Sequence, residues 1–203
     1  MSATLVLFND FETTGIDTTK DVILEGYFDL RLVDPEKGIV GKQLLTQHVY
    51  VDSVFDRSTM NPIAEKMHVD NGLWDDLEKN AASKMTVAAF DSIFTPFIAA
   101  AKEEFDGAPI RLGGMGVANF DKRMIERDFP QLDKLLHYRC EDISIILMHA
   151  KMSGWKPAPK DEHYFGTVAH RAKEDVEQGI GQFLYFSNQF RRLNMFDNKI
   201  SAV

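Results

Sequence analysis

The chain has 203 residues, 44% of them hydrophobic and 27% charged, which suits an ordinary globular protein with a substantial core. Its net charge of −8 argues against a protein that coats long nucleic acid through a basic face, because such affinity comes largely from phosphate neutralisation. No apolar run of membrane-spanning length and no signal-peptide pattern occurs, so the protein is expected to be neither secreted nor membrane-bound, and Cys140 as the single cysteine permits no internal disulfide.

The first predicted strand, Thr4 to Asn9, is apolar and runs straight into Asp10 and Glu12. Strands over Val22 to Val33 and Gln43 to Val51 follow, joined by Thr-Gly and Pro-Glu-Lys-Gly turn signals. Residues 61 to 80 read as short helices. From Thr86 to Phe105 apolar residues recur at helical spacing, with Pro96 expected to kink or divide the helix. A short strand, Pro109 to Leu112, leads through Gly113-Gly114-Met115-Gly116 to a helix starting near Asn119. Another strand is predicted from His137 to Ile143, with a helix to Lys151, a mobile loop over 153–166 and a long amphipathic helix from Ala169 to Phe190. A three-stranded antiparallel start followed by alternating helices and strands predicts one α/β mixed sheet flanked by helices.

Asp10 and Glu12 are two residues apart in an extended segment, so the pleat turns both carboxylates to one side, where they repel. Two further acids stand where strands give way to helices: Asp121 after the Gly-rich strand exit, and Asp175 near the start of the last helix. Four carboxylates from separated segments can converge on hard cations such as Mg²⁺ or Mn²⁺. Two such ions would neutralise the repulsion and clamp a phosphodiester for in-line displacement. His170, five residues before Asp175, falls on the loop above the acids, where an imidazole can take a proton from the attacking water.

The segments "DFETTG", "NFDKRMI" and "HRAKED" resemble the three motifs of the DEDDh 3′-to-5′ exonucleases, a branch of the ribonuclease-H-like fold. "PQLDKLLHYRCEDIS" and the last helix are similar to the oligoribonuclease branch, and the resemblance runs nearly end to end. It implies a ribonuclease-H-like five-stranded sheet and a single exonuclease domain over residues 1–203. It also implies two divalent cations, Mg²⁺ or Mn²⁺, on Asp10, Glu12, Asp121 and Asp175, with His170 as general base. Asp142 matches a family position that is not a ligand. The implied activity is hydrolysis of short single-stranded RNA to nucleoside 5′-monophosphates by a cytoplasmic homodimer. Single-stranded DNA or longer RNA ends are the alternative substrates, and an inactive nucleic-acid-binding module is the remaining alternative.

Substrate contacts follow the same resemblance. The backbone amides of Thr13, Thr14 and Gly15 either hold the terminal nucleotide or form a tight turn. Ile16 resembles the family's apolar wedge, and Ile63 stands where oligoribonuclease has a base-stacking tryptophan. His68 falls in a family histidine position, as a substrate contact or a structural histidine. Tyr138 and Arg139 lie in a segment that reaches across the family's dimer, where Arg139 with Ser144 would meet the far phosphate. His48, His149 and His163 have no supporting neighbours in the sequence.

Overall fold

Alternation along the first strand decides where everything else packs. The computed structural model describes residues 3–157 and 159–200, the side chains of 159–160 and 193–200 excepted. Strand β1, Thr4–Thr13, buries Leu5, Leu7 and Phe11 on one face and Val6 and Phe8 on the other. It pairs antiparallel with β2, Ile23–Asp34, which pairs antiparallel with β3, Ile39–Tyr50. On its other edge β1 runs parallel to β4, Ile110–Gly114, and β4 runs parallel to the two-residue β5, Glu141–Asp142. The five-stranded order is β3-β2-β1-β4-β5, the mixed sheet the sequence predicts.

One face of the sheet is covered by helices α3, Val87–Glu104, α4, Asp121–Asp128, and α5, Pro130–Asp133. Phe11, Phe28, Phe90 and Phe129 interlock there, with Phe11 stacked on Phe129 at 5.6 Å between ring centroids. The other face is covered by α7, Ala172–Ile200, whose Ala172, Val176 and Ile180 recur every four residues and meet Val6, Phe8 and Tyr27. Helices α1, Pro62–Asp70, and α2, Leu73–Lys79, sit beside the end of β1, and α6, Ile143–Met152, follows β5 directly. No described helix is long and apolar enough to cross a membrane.

Several predicted boundaries move, each for a physical reason. Strand β1 continues past Asn9 to Thr13, because its ladder with β2 carries on through Asp10↔Tyr27 and Glu12↔Glu25. Helix α3 passes through Pro96 undivided, since Phe90, Phe94 and Ile98 anchor both halves on the sheet. The strand expected over His137 to Ile143 shrinks to β5 plus a bridge at Leu136, because the short β4 offers partners only at its two ends. Tyr138 and Arg139 between them turn out to solvent. Residues 153–166 pack rather than hang free: Trp155 and Phe165 meet each other at 5.1 Å and Tyr185 and Phe186 at 5.3–5.9 Å, and a 3₁₀ turn spans Pro159–Phe165. Ala158 of that stretch lies outside the described residues. Helix α7 starts at Ala172 instead of Ala169, because His170 adopts a left-handed φ of 54°.

Candidate active site

The even-numbered face of β1 carries Val6, Phe8, Asp10 and Glu12 in line, so the strand that packs on α7 ends in two acids beneath the first turn of that helix. Asp175, in that first turn, closes the group. Carboxylate oxygens of Asp10, Glu12 and Asp175 all lie within 4.8 Å of one another. Asp175 is fixed by its own loop, accepting the Ala169 N–H at 3.0 Å.

Asp121 arrives by another route. It is the first residue of α4, buried, and its Oδ1 has no hydrogen-bond partner, while the Phe11 backbone amide bonds to its carboxylate. The loop that delivers it depends on Gly114, at φ 149°, where a Cβ would meet the Asn9 carbonyl oxygen at 2.9 Å and Val117 at 2.6 Å. Asp142 pins the same loop by accepting the N–H groups of Gly116 at 3.0 Å and Ala118 at 3.1 Å.

Among the described residues no Lys or Arg forms an ion pair with Asp10, Glu12, Asp121 or Asp175. Burial, then the charges of Asp175 and Glu25, push Asp10 up to about 8. Burial, then Asp10 and Asp175, push Glu12 up to about 9. Asp121 is raised well above the carboxylate range by burial and by Asp10, and Asp175 is raised chiefly by burial. An all-oxygen donor set of this charge, with an orphaned buried oxygen on Asp121, fits hard divalent cations, whose binding would displace protons.

Asp10, Glu12 and Asp175 floor a cleft of about 450 Å³ that His170 also lines, while Asp121 lies buried outside its lining and outside the close group of three. Its lips are apolar: Ile16 and Ile63 are 81% and 79% exposed, and Met67, Met115, Phe120 and Val168 continue the rim. Thr13 and Gly15 line the floor beside Glu12. Thr14 does not line the cleft. Its N–H is used by the Val22 carbonyl at 3.0 Å and its hydroxyl by Asp21 at 3.0 Å, so its amide is not available to a nucleotide.

The geometry bears on three other expectations, among them the choice of a structural role for His68. His68 is fully buried behind Glu12, with Nε2 2.8 Å from the Thr13 carbonyl and Nδ1 3.7 Å from the Glu12 carboxylate, so it supports the floor and does not face substrate. Ser144 donates its hydroxyl to Asp142 at 2.5 Å, which removes the donor a phosphate would need. Tyr138 and Arg139 do not line the cleft of their own chain; Tyr138 is 75% exposed, with the guanidinium 5.3 Å over its ring.

A second cluster went unread in the sequence. Glu25, directly across the ladder from Glu12, receives Arg171 on both oxygens at 3.0 and 3.1 Å, His48 at 2.8 Å and the Ala172 N–H at 3.3 Å. His48 thus has a partner after all. Burial raises Glu25, but the bonds from His48 and Arg171 outweigh it and bring the carboxyl down to about 2. Arg171 also pairs with Asp76 at 2.8 Å, tying the start of α7 to α2. The signal available in the sequence was a lone Glu in the apolar run "ILEGYF" and an Arg beside His170.

Oligoribonucleases from Mycobacterium sp. (strain KMS) and Rhodococcus jostii (strain RHA1) are each 30% identical to the chain, over 181 and 182 residues. Each alignment covers 87% of this chain, and 77% and 83% of those proteins respectively. Among solved structures, E. coli exonuclease I in complex with a dT13 oligonucleotide matches 95% of this chain and 43% of its own, with a TM-score of 0.59 at 18% identity. The zinc-ion-bound form of the E. coli exonuclease I–single-stranded DNA complex matches with a TM-score of 0.56 at 18% identity, over 98% of this chain and 43% of that one. The chain therefore spans less than half the length of exonuclease I, and that likeness speaks to the fold. No protein-family model matches the chain. Identity of this extent along most of both sequences, on a sheet of this order, means that the chain belongs to the oligoribonuclease family of 3′-to-5′ exonucleases.

Proposed function

We propose that this chain is a metal-dependent exoribonuclease, acting in the cytoplasm as one exonuclease domain over residues 1–203, that trims short oligoribonucleotides from the 3′ end and releases nucleoside 5′-monophosphates. The observation that carries the reading is a floor of close, uncompensated carboxylates beneath apolar lips, with His170 at the mouth. Asp10, Glu12, Asp121 and Asp175 would hold two Mg²⁺ or Mn²⁺ ions, which when bound supply charge stabilisation for in-line displacement at phosphorus. His170 accepts the proton of the attacking water. Ile16 and Ile63 pack against bases by apolar contact, and Thr13 and Gly15 border the terminal sugar.

A short substrate fits the electrostatics. A net charge of −8 supports few phosphate contacts, and each phosphate neutralised on a single strand contributes about −0.7 to the slope of log affinity against log salt. An exposed Tyr138–Arg139 pair outside its own cleft supports a two-fold homodimer in which Arg139 reaches the far phosphate of substrate in the partner's cleft.

A time course on end-labelled two-, five- and twenty-nucleotide RNA and DNA, with and without divalent metal, tests the proposal. Short RNA should be cleaved fastest, only with metal, and His170→Ala should lose about 10²–10⁴-fold in rate. Faster digestion of a twenty-mer or of DNA, with a steep salt slope, would transfer the reading to a long-strand exonuclease. Binding without cleavage under every condition would leave a nucleic-acid-binding module.

A further inference from the structure

Asn71, in the turn between α1 and α2, makes three contacts, two of which join this turn to the His170 loop 99 residues later. Its side-chain Oδ1 accepts the Leu73 N–H at 3.0 Å. Its Nδ2 donates to the His170 carbonyl. Its own backbone carbonyl accepts from Arg171 Nη1 at 3.4 Å. The carboxamide orientation is set by this pattern, because the Leu73 N–H requires an oxygen and so turns the nitrogen toward His170.

His170 needs such a hold. A φ of 54° is unfavourable for a residue with a Cβ and persists only where its surroundings over-determine it. The Asp175 carboxylate draws in the backbone amides of Ala169, His170 and Arg171, and the Arg171 side chain is secured by Glu25 and Asp76. The carbonyl of His170 is held by Asn71. We propose that Asn71 is a positioning residue that locks the His170 peptide in its left-handed turn and so keeps the imidazole at the mouth of the cleft. This inference rests on the role of His170 given above.

Asn71→Asp tests it, since the isosteric side chain still caps Leu73 but sets an acceptor against the His170 carbonyl. With a pentaribonucleotide and Mn²⁺, kcat should fall about tenfold while KM and Mn²⁺ affinity, followed by EPR, change by less than about twofold. Asn71→Ala, which adds no charge near the acids, should show the same loss and serves if the first variant melts early. In a His170→Ala background either change should cost less than about twofold, because both act through one side chain. An equal loss in both backgrounds, or near-normal kcat in Asn71→Ala, would overturn the positioning role. Unchanged kcat in His170→Ala alone would instead remove the role of His170, and this inference with it.

Discussion

Glu12 and Glu25 face each other across one rung of the β1–β2 ladder, both buried, and their charges meet opposite fates. Glu25 has a guanidinium on both oxygens, an imidazole and a backbone amide, and it is held ionised, near 2. Glu12 has Asp10 and Asp175 as neighbours and is pushed up to about 9. Like charges opposite each other in a ladder are destabilising, so the pair survives because one member is neutralised by the protein. The other is left open to cations from outside. Glu25, with its cation built in, serves the fold, whereas Glu12, with which no Lys or Arg of the described residues pairs, is a candidate ligand.

Removing an open acid should have the largest effect. Asp10→Ala should lower turnover by three decades or more, since a displaced metal forfeits several kcal/mol of charge stabilisation at about 1.36 kcal/mol per decade. The fold should persist, and circular dichroism would check it. Near-normal hydrolysis by this variant would break the assignment of the open acids to metal.

Removing the compensated acid should act on stability instead. Glu25→Ala strands Arg171 against α2 and should cost about 3–5 kcal/mol, as for other broken buried pairs. At this size that is a fall in Tm of roughly 10 °C. A variant that melted like the wild type would mean that the Arg171 cluster is incidental.

The two clusters should also respond to pH in opposite directions. Asp10 and Glu12 have folded values near 8 and 9, above their unfolded ones, so the native state binds more protons. Their contribution is whole below the ordinary carboxylate range, declines as pH rises, and is gone above about 9. Glu25 is depressed to about 2, so its contribution is whole above the ordinary range and lost as pH falls toward 2. Melting in EDTA should therefore weaken from pH 6 to pH 9, with Mg²⁺ reversing the trend and Asp10→Ala flattening it. A metal-free Tm that rose over that interval would contradict the account.

The smallest effect should come from His48. It is a third exposed at its side chain and shares Glu25 with Arg171, so His48→Ala should cost only about 1–2 kcal/mol. Chemical denaturation would measure it. A loss as large as that of Glu25→Ala would shift the compensating role from Arg171 to His48.

What could be read in the sequence was whatever depends on short spacing. The Asp-x-Glu pair follows from the pleat, α7 from its four-residue apolar repeat, and the loop position of His170 from its distance to Asp175. What escaped depends on partners far along the chain or on backbone already engaged. Glu25 meets a side chain 146 residues away, His68 bonds a carbonyl 55 residues back, and the Thr14 amide is taken by Val22. The strand at His137 failed for the complementary reason: strand propensity was present, but β4 had no free length to pair with it.

The separation between Glu25 and Arg171 also bears on how the protein is made. Strands β1 and β2 are synthesised early, and their hairpin sets Glu12 against Glu25 with no cation in reach. The hairpin can close on the α3 side, where its apolar residues have partners nearby, but its other face must stay wet until residue 171 arrives. Docking of α7 then delivers Arg171 to Glu25, Asp175 to the acids and His170 to the cleft in one event, since all three lie within five residues. A nascent or truncated chain lacking that helix cannot hold a half-built site, because the burial that completes the sheet and the chemistry that occupies it are admitted together.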